Sequence, residues 1–335
     1  MKYLALFALP IMFACNSNSP EHTADAATDS ALNAPMIQPL TDSLNKFPDN
    51  ADLHFRRALL LFNTDPGLAQ KDFEKAAQLK PNVPDYWAGA GEAAILIGEF
   101  KQAVANFEKA QHLAPKYAYL QYRLATALIE DKQYKRADSL ASKLANDPAN
   151  HDKAYYLKAK IAEENKDTLL AIQHLRTAID QAGLQSDYDA VMELGDLLKE
   201  RHIPAALQYY QLAARMDSTN DDAIYAIGKF YEQESKLADA ITAYKNAINI
   251  DPEDGDNYFA LGSIYFKQQE WQPAFTYFNM ACKSGPTDGE AYYYRGRCNE
   301  KLGRKQAAID DYSKAITFKK DYTAAKEALA SIQKQ

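Results

Sequence analysis

The sequence predicts an all-α fold, a solenoid of eight stacked helix pairs with a short capping helix at each end. Three observations carry this. Small residues recur at a fixed interval: Ala69, Ala103, Ala137, Ala171, Ala206, Ala240, Ala274 and Ala308 are 34 residues apart, with a single step of 35. Amphipathic runs of helical period fill the chain from residue 36 onward. Glycine is scarce, at 13 of 335 residues, which leaves little material for long all-β architectures or glycine-rich phosphate loops.

The first fifteen residues stand apart from this pattern. Lys2 precedes an apolar run from Tyr3 to Ala14, too short for a permanent membrane span but suited to a secretory signal. The run stops at Cys15, and Met12-Phe13-Ala14-Cys15 resembles the lipobox of bacterial lipoproteins. That resemblance implies a signal peptide over 1–14 and an acylated Cys15 at the head of the mature chain. An ordinary cleaved signal with an incidental cysteine is the alternative. Residues 16–35 lack aromatic residues and apolar periodicity and read as a disordered tether with a reach of about 25 Å.

Residues 36–49 are expected to form an N-terminal capping helix that stops at Phe47-Pro48. The eight units follow at 50–83, 84–117, 118–151, 152–185, 188–220, 221–254, 255–288 and 289–322, and a capping helix with a polar outer face closes the chain over 323–335. In each unit two amphipathic helices flank a polar turn such as Asn63-Thr64-Asp65. Small side chains at the eighth, twentieth and twenty-seventh positions let neighbouring helices approach closely, and larger ones would overpack the contact at a cost of about 1–3 kcal/mol. Rings at the twenty-fourth position (Phe73, Phe107, Tyr210, Tyr244, Phe278 and Tyr312) fill the space between units. Pro81, Pro115, Pro252 and Pro286 end the second helices. The fifth unit is one residue short around His202-Ile203-Pro204, and the connection before it carries the extra Ser186 and Asp187 beside Gly183. A change of superhelical pitch or a mild hinge is expected at 180–188.

The seventh unit displays the recurring residues most fully, with Tyr258, Leu261, Gly262 and Tyr265, then Ala274, Phe278, Ala281 and Pro286. This pattern resembles the tetratricopeptide repeat. The resemblance implies a right-handed superhelix whose first helices line an inner groove that takes a protein or peptide partner. The carboxylate clamp of chaperone-binding members is not matched: Arg123 and Lys153 stand at clamp positions, but in the wrong units.

Composition excludes other classes. With 38 Lys and Arg against 45 Asp and Glu, the net charge of −7 argues against a general nucleic-acid binder. The six histidines share no spacing, and no zinc, phosphate-loop, nucleophile-elbow or CxxC motif occurs. No catalytic residue, metal or cofactor is expected. Cys282 and Cys298 occupy helix-core slots, where they fit as buried thiols. Export would also permit a disulfide between them, and the sequence leaves that open.

The candidate binding residues follow from the groove that the resemblance implies. At the fifth position it places Tyr122, Tyr156, Tyr225, Phe259 and Tyr293, and at the ninth Lys160, Lys229 and Arg297. Aromatic faces with cations nearby suit an extended peptide, supplying apolar area and partners for acidic groups. The leading expectation is a non-enzymatic scaffold, lipid-anchored through Cys15 at the outer membrane and facing the periplasm. Asn16 after the cysteine offers no Asp-type cue for inner-membrane retention. A glycan- or peptidoglycan-binding lipoprotein using the same tyrosines is the alternative.

Overall fold

The computed structural model describes residues 30–334. The signal peptide, Cys15 and most of the expected tether lie outside the described residues. Among those described, the chain is helical throughout and no strand occurs. Contacts divide the chain into two compact units, one ending at Leu140 and the other beginning at Ala141.

The first unit holds α1 (Gln38–Lys46), α2 (Ala51–Leu61), α3 (Pro66–Leu79), α4 (Pro84–Leu96), α5 (Phe100–Leu113) and α6 (Ala118–Glu130), with α7 (Tyr134–Leu144) running across the division. Helices α1 to α6 pack in sequence order, each on the next. Asn50 and Asp65 cap α2 and α3 by accepting hydrogen bonds from backbone N–H groups of the first turn. Ile37, Ala58, Leu61, Phe73 and Ala90 form one core. Ala31, Leu32 and Ala34 pack against it, and Thr41 Oγ1 donates to the Leu32 carbonyl at 3.0 Å. The tether expected to run to residue 35 is therefore shorter, because three aliphatic side chains there find apolar surface to cover.

Arg57 stands where other units carry glycine or alanine. Its guanidinium forks onto Asp72, with Nε to Oδ2 at 2.6 Å and Nη2 to Oδ1 at 2.9 Å, and His54 Nδ1 lies 2.8 Å from the same carboxylate. A bidentate pair of this kind holds a buried charge that would otherwise be costly. Arg123 of α6 meets Glu92 of α4 in a similar way.

The second unit holds α8 (His151–Glu164), α9 (Thr168–Ala182), α10 (Tyr188–Glu200), α11 (Ala206–Met216), α12 (Asp222–Gln233), α13 (Leu237–Ile250), α14 (Gly255–Lys267), α15 (Trp271–Ser284), α16 (Gly289–Lys301), α17 (Lys305–Phe318) and α18 (Thr323–Lys334). Each packs on the next in sequence order. The recurring small residues have a concrete cause here. A Cβ built on Gly195, Gly228, Gly262 or Gly296 would lie 2.5 to 2.8 Å from the ring of Tyr210, Tyr244, Phe278 or Tyr312 respectively. Every one of those rings is fully buried. Helix and ring therefore pack with no room for a side chain.

The turn between paired helices has a fixed backbone. Lys132, Lys166, His202, Ser235 and Gln269 have φ between 56° and 61°, and Gly98 and Gly303 have φ of 76° and 75°. All seven occupy the fifteenth position of their units, so the left-handed conformation is built into the turn rather than set by glycine. In the fifth unit α11 starts only at Ala206 and has 11 residues against 14 in α13, α15 and α17. The second helix of this unit is therefore three residues shorter, more than the one missing residue. Gly183, with φ of 56°, ends α9 and opens a short 3₁₀ turn over Gly183–Gln185. Cys282 and Cys298 are both buried free thiols, pushed up to about 12 by burial.

Candidate functional site

Two adjoining clefts open on α8, α10 and α12 of the second unit. The larger, of about 730 Å³, lies between α8, which contributes Tyr156, Lys160 and Glu163, and α10, which contributes Asp189, Met192, Glu193 and Asp196. The smaller, of about 330 Å³, lies between α10 and α12, with Tyr188, Asp222, Tyr225 and Lys229 on its walls. The two share Asp189, Met192 and Asp196. Alternating first helices present these residues because equivalent positions recur from one repeat to the next.

Three of the four lysines that line the clefts are already engaged, and the fourth, Lys166, is exposed in the turn after α8. Lys160 Nζ lies 2.8 Å from Glu163 Oε2 and 2.8 Å from Glu193 Oε1, so it bridges α8 to α10. Lys199 lies 2.8 Å from Asp196 Oδ1, which also accepts the Tyr210 hydroxyl at 2.7 Å. Lys229 lies 3.9 Å from Glu232 and 5.3 Å from the Tyr225 ring centroid. Burial pushes Glu193 up to about 7, and the neighbouring Glu163 carboxylate adds to that while Lys160 opposes it. Asp189 is raised by burial and by repulsion from Asp187 and Asp222.

Of the residues singled out from sequence, Tyr156, Lys160, Tyr225 and Lys229 come together at these clefts. Phe259 turns toward packing, 5.4 Å from the Phe278 ring and 5.7 Å from that of Tyr294. Tyr293 is only 8% exposed, wedged among Tyr294, Tyr312 and Tyr322 at ring distances of 5.2, 6.0 and 5.0 Å. Arg297 donates to the Tyr293 hydroxyl at 2.9 Å. The capping helix α18 and the tyrosine before it cover this end, which is why Tyr293 packs as core rather than facing a groove. Tyr122 is half-buried in the first unit.

Sequence reasoning missed the carboxylates. Asp189, Asp222, Asp256 and Glu290 hold the second position of four consecutive units. That regularity was visible, but an acid in the first turn of a helix is ordinarily a solvated partner of the helix dipole. The first unit has a separate cleft of about 520 Å³ at Trp87, where Lys109 Nζ sits 3.9 Å above the indole. Among the described residues no group of His, Cys, Asp and Glu is arranged to hold a metal ion, and no helix is long and apolar enough to cross a membrane.

Family models agree with the repeat pattern. Tetratricopeptide-repeat models match residues 59–118, 94–161, 230–269 and 286–325. The chain thus carries tetratricopeptide repeats. It matches no curated protein. Among solved structures, one of MamA protein is similar at 20% identity and a TM-score of 0.44, covering 50% of this chain and 92% of that one. A second MamA structure aligns at 20% identity and a TM-score of 0.43, covering 48% and 94%.

Proposed function

We propose that the protein is a non-enzymatic scaffold that holds a protein partner by an extended peptide laid across the α8–α10–α12 clefts. The observation that carries this is the pairing of two open clefts that meet at α10 and are walled by Tyr156 of α8 and Tyr225 of α12. Rigid aromatic walls supply contact area at low entropic cost, and the polar groups around them orient a backbone. Replacing Tyr156 and Tyr225 together by alanine should weaken partner capture by about tenfold or more while helicity stays unchanged, as for loss of two aromatic anchors. Unchanged capture contradicts the proposal.

The scaffold is proposed to be membrane-anchored through a lipid on Cys15, at the periplasmic face of the outer membrane. The apolar run ending in Met12-Phe13-Ala14-Cys15 supports this reading. Cys15→Ser should move the protein from the membrane fraction to the soluble fraction. Retention of the variant in washed membranes contradicts the anchor but leaves the clefts unaffected.

A further inference from the structure

We propose that the paired clefts select a peptide bearing lysine or arginine, opposite in sign to the acidic ligand that the ninth-position cations suggest. The inference rests on the peptide-binding reading above and adds the charge of the ligand. Lys160 is held by Glu163 and Glu193, Lys199 by Asp196, and Lys229 by Glu232. An acidic peptide would have to break these intramolecular pairs to gain its own. Lys166 stands at the exposed rim, in the turn after α8.

Two cleft carboxylates are in the reverse condition. Asp189 lines both clefts and Asp222 the smaller one. Both are exposed, and among the described residues neither side chain forms an ion pair. They repel one another, and Asp187 adds to the repulsion on Asp189. The row continues in register to Asp256, which Asp254 and Asp288 repel in turn. Each acid sits in the first turn of its helix, where the dipole favours it. The dipole accounts for one carboxylate per helix, and Lys229 offsets part of the charge on Asp256, but Asp189 and Asp222 form no ion pair among the described residues beside two tyrosine-walled openings. An ammonium or guanidinium entering there relieves like-charge repulsion beside the aromatic walls of the clefts. An extended chain suits the geometry, since successive side chains point to opposite faces and alternate ones can enter adjoining clefts.

The test is selection of a random phage-displayed dodecapeptide library on the full chain, repeated on Asp189→Asn/Asp222→Asn. These exposed, near-isosteric changes leave the fold intact, which the thermal melt checks. The expected result is enrichment of Lys and Arg over Asp and Glu. A synthetic peptide of the enriched sequence should bind about fivefold more weakly to the double variant, the size expected for two exposed charge pairs, and more weakly still as salt rises. Selection of acidic or uncharged peptides, or basic peptides whose binding the double variant leaves unchanged, overturns the charge assignment while peptide binding stands. Failure to enrich any peptide overturns both.

Discussion

The hydroxyl of Tyr312 donates to Glu300 Oε2 at 2.6 Å, and the two residues stand at the twenty-fourth and twelfth positions of the same repeat. Tyr244 and Glu232 repeat the arrangement at 2.7 Å one repeat pair earlier. Where the ring is phenylalanine, as in Phe73, Phe107 and Phe278, the twelfth position holds Leu61, Ile95 and Phe266. The fully buried ring dictates its partner: a phenol needs an acceptor, and a benzyl ring needs apolar surface. In the fourth unit the ring position is Leu175, so Glu163 at the twelfth position has no phenol to bind and turns to Lys160. The larger cleft lies at that substitution.

A double-mutant cycle on this pair has a definite expected outcome. Tyr312→Phe and Glu300→Leu should each destabilise the protein by about 1–3 kcal/mol, the cost of orphaning a buried hydrogen-bonding group. The double variant, which copies the Leu61–Phe73 arrangement, should lose less than the sum by at least about 1 kcal/mol. Chemical denaturation of the four proteins measures this, and strict additivity counts against the pairing rule.

Close approach of helix and ring yields a second expectation. An alanine Cβ at position 228 would lie 2.5 Å from Tyr244 Cε1. Gly228→Ala should destabilise by about 1–3 kcal/mol through overpacking, although alanine favours the helix intrinsically. A thermal melt unchanged or raised by the substitution means that the ring has room to move.

The left-handed turn position gives a change of opposite sign. Ser235 has φ of 60° and an exposed side chain. Ser235→Gly removes the steric cost of that conformation and should stabilise by up to about 1 kcal/mol. The same change at a right-handed helix position, such as Lys245, should destabilise by a similar amount. Equal effects at both sites contradict the turn geometry.

Protonation of the larger cleft gives a pH signature. Glu193 rises from its ordinary value near 4.5 to about 7 in the folded protein. Between those values the folded state holds a proton that the unfolded state has released, so stability falls as pH rises. The contribution is complete below about pH 4.5 and gone above about 7. Melting temperatures of wild type and Glu193→Gln across pH 5 to 8 isolate it: the variant's profile should lose this downward slope. Parallel profiles contradict the raised pKa.

Much of this was legible in the sequence because the fold repeats itself. Ala69 to Ala308 reveal the period, and Gly228 or Gly262 reveals where rings pack, since steric need restricts residue type at those places. The left-handed turn was hidden because Lys166, His202 and Gln269 carry no common chemistry; only backbone geometry unites them. The placement of the candidate residues was partly legible. Tyr156 and Tyr225 line clefts, but the state of Lys160 depends on Glu193 from the next repeat, a contact between units that no single-repeat pattern contains. Tyr293 shares the register of Tyr225 yet is buried, because the terminal helix packs where a further repeat would otherwise stand.

The most direct test of the binding site is photocrosslinking from inside the clefts. A photoreactive phenylalanine analogue in place of Tyr156 or Tyr225, in the full chain expressed in its own cells, should capture one discrete protein partner from both positions. The same analogue at exposed Leu184, outside both clefts, should not. Capture that is equal at all three positions, or absent from both clefts, contradicts the account.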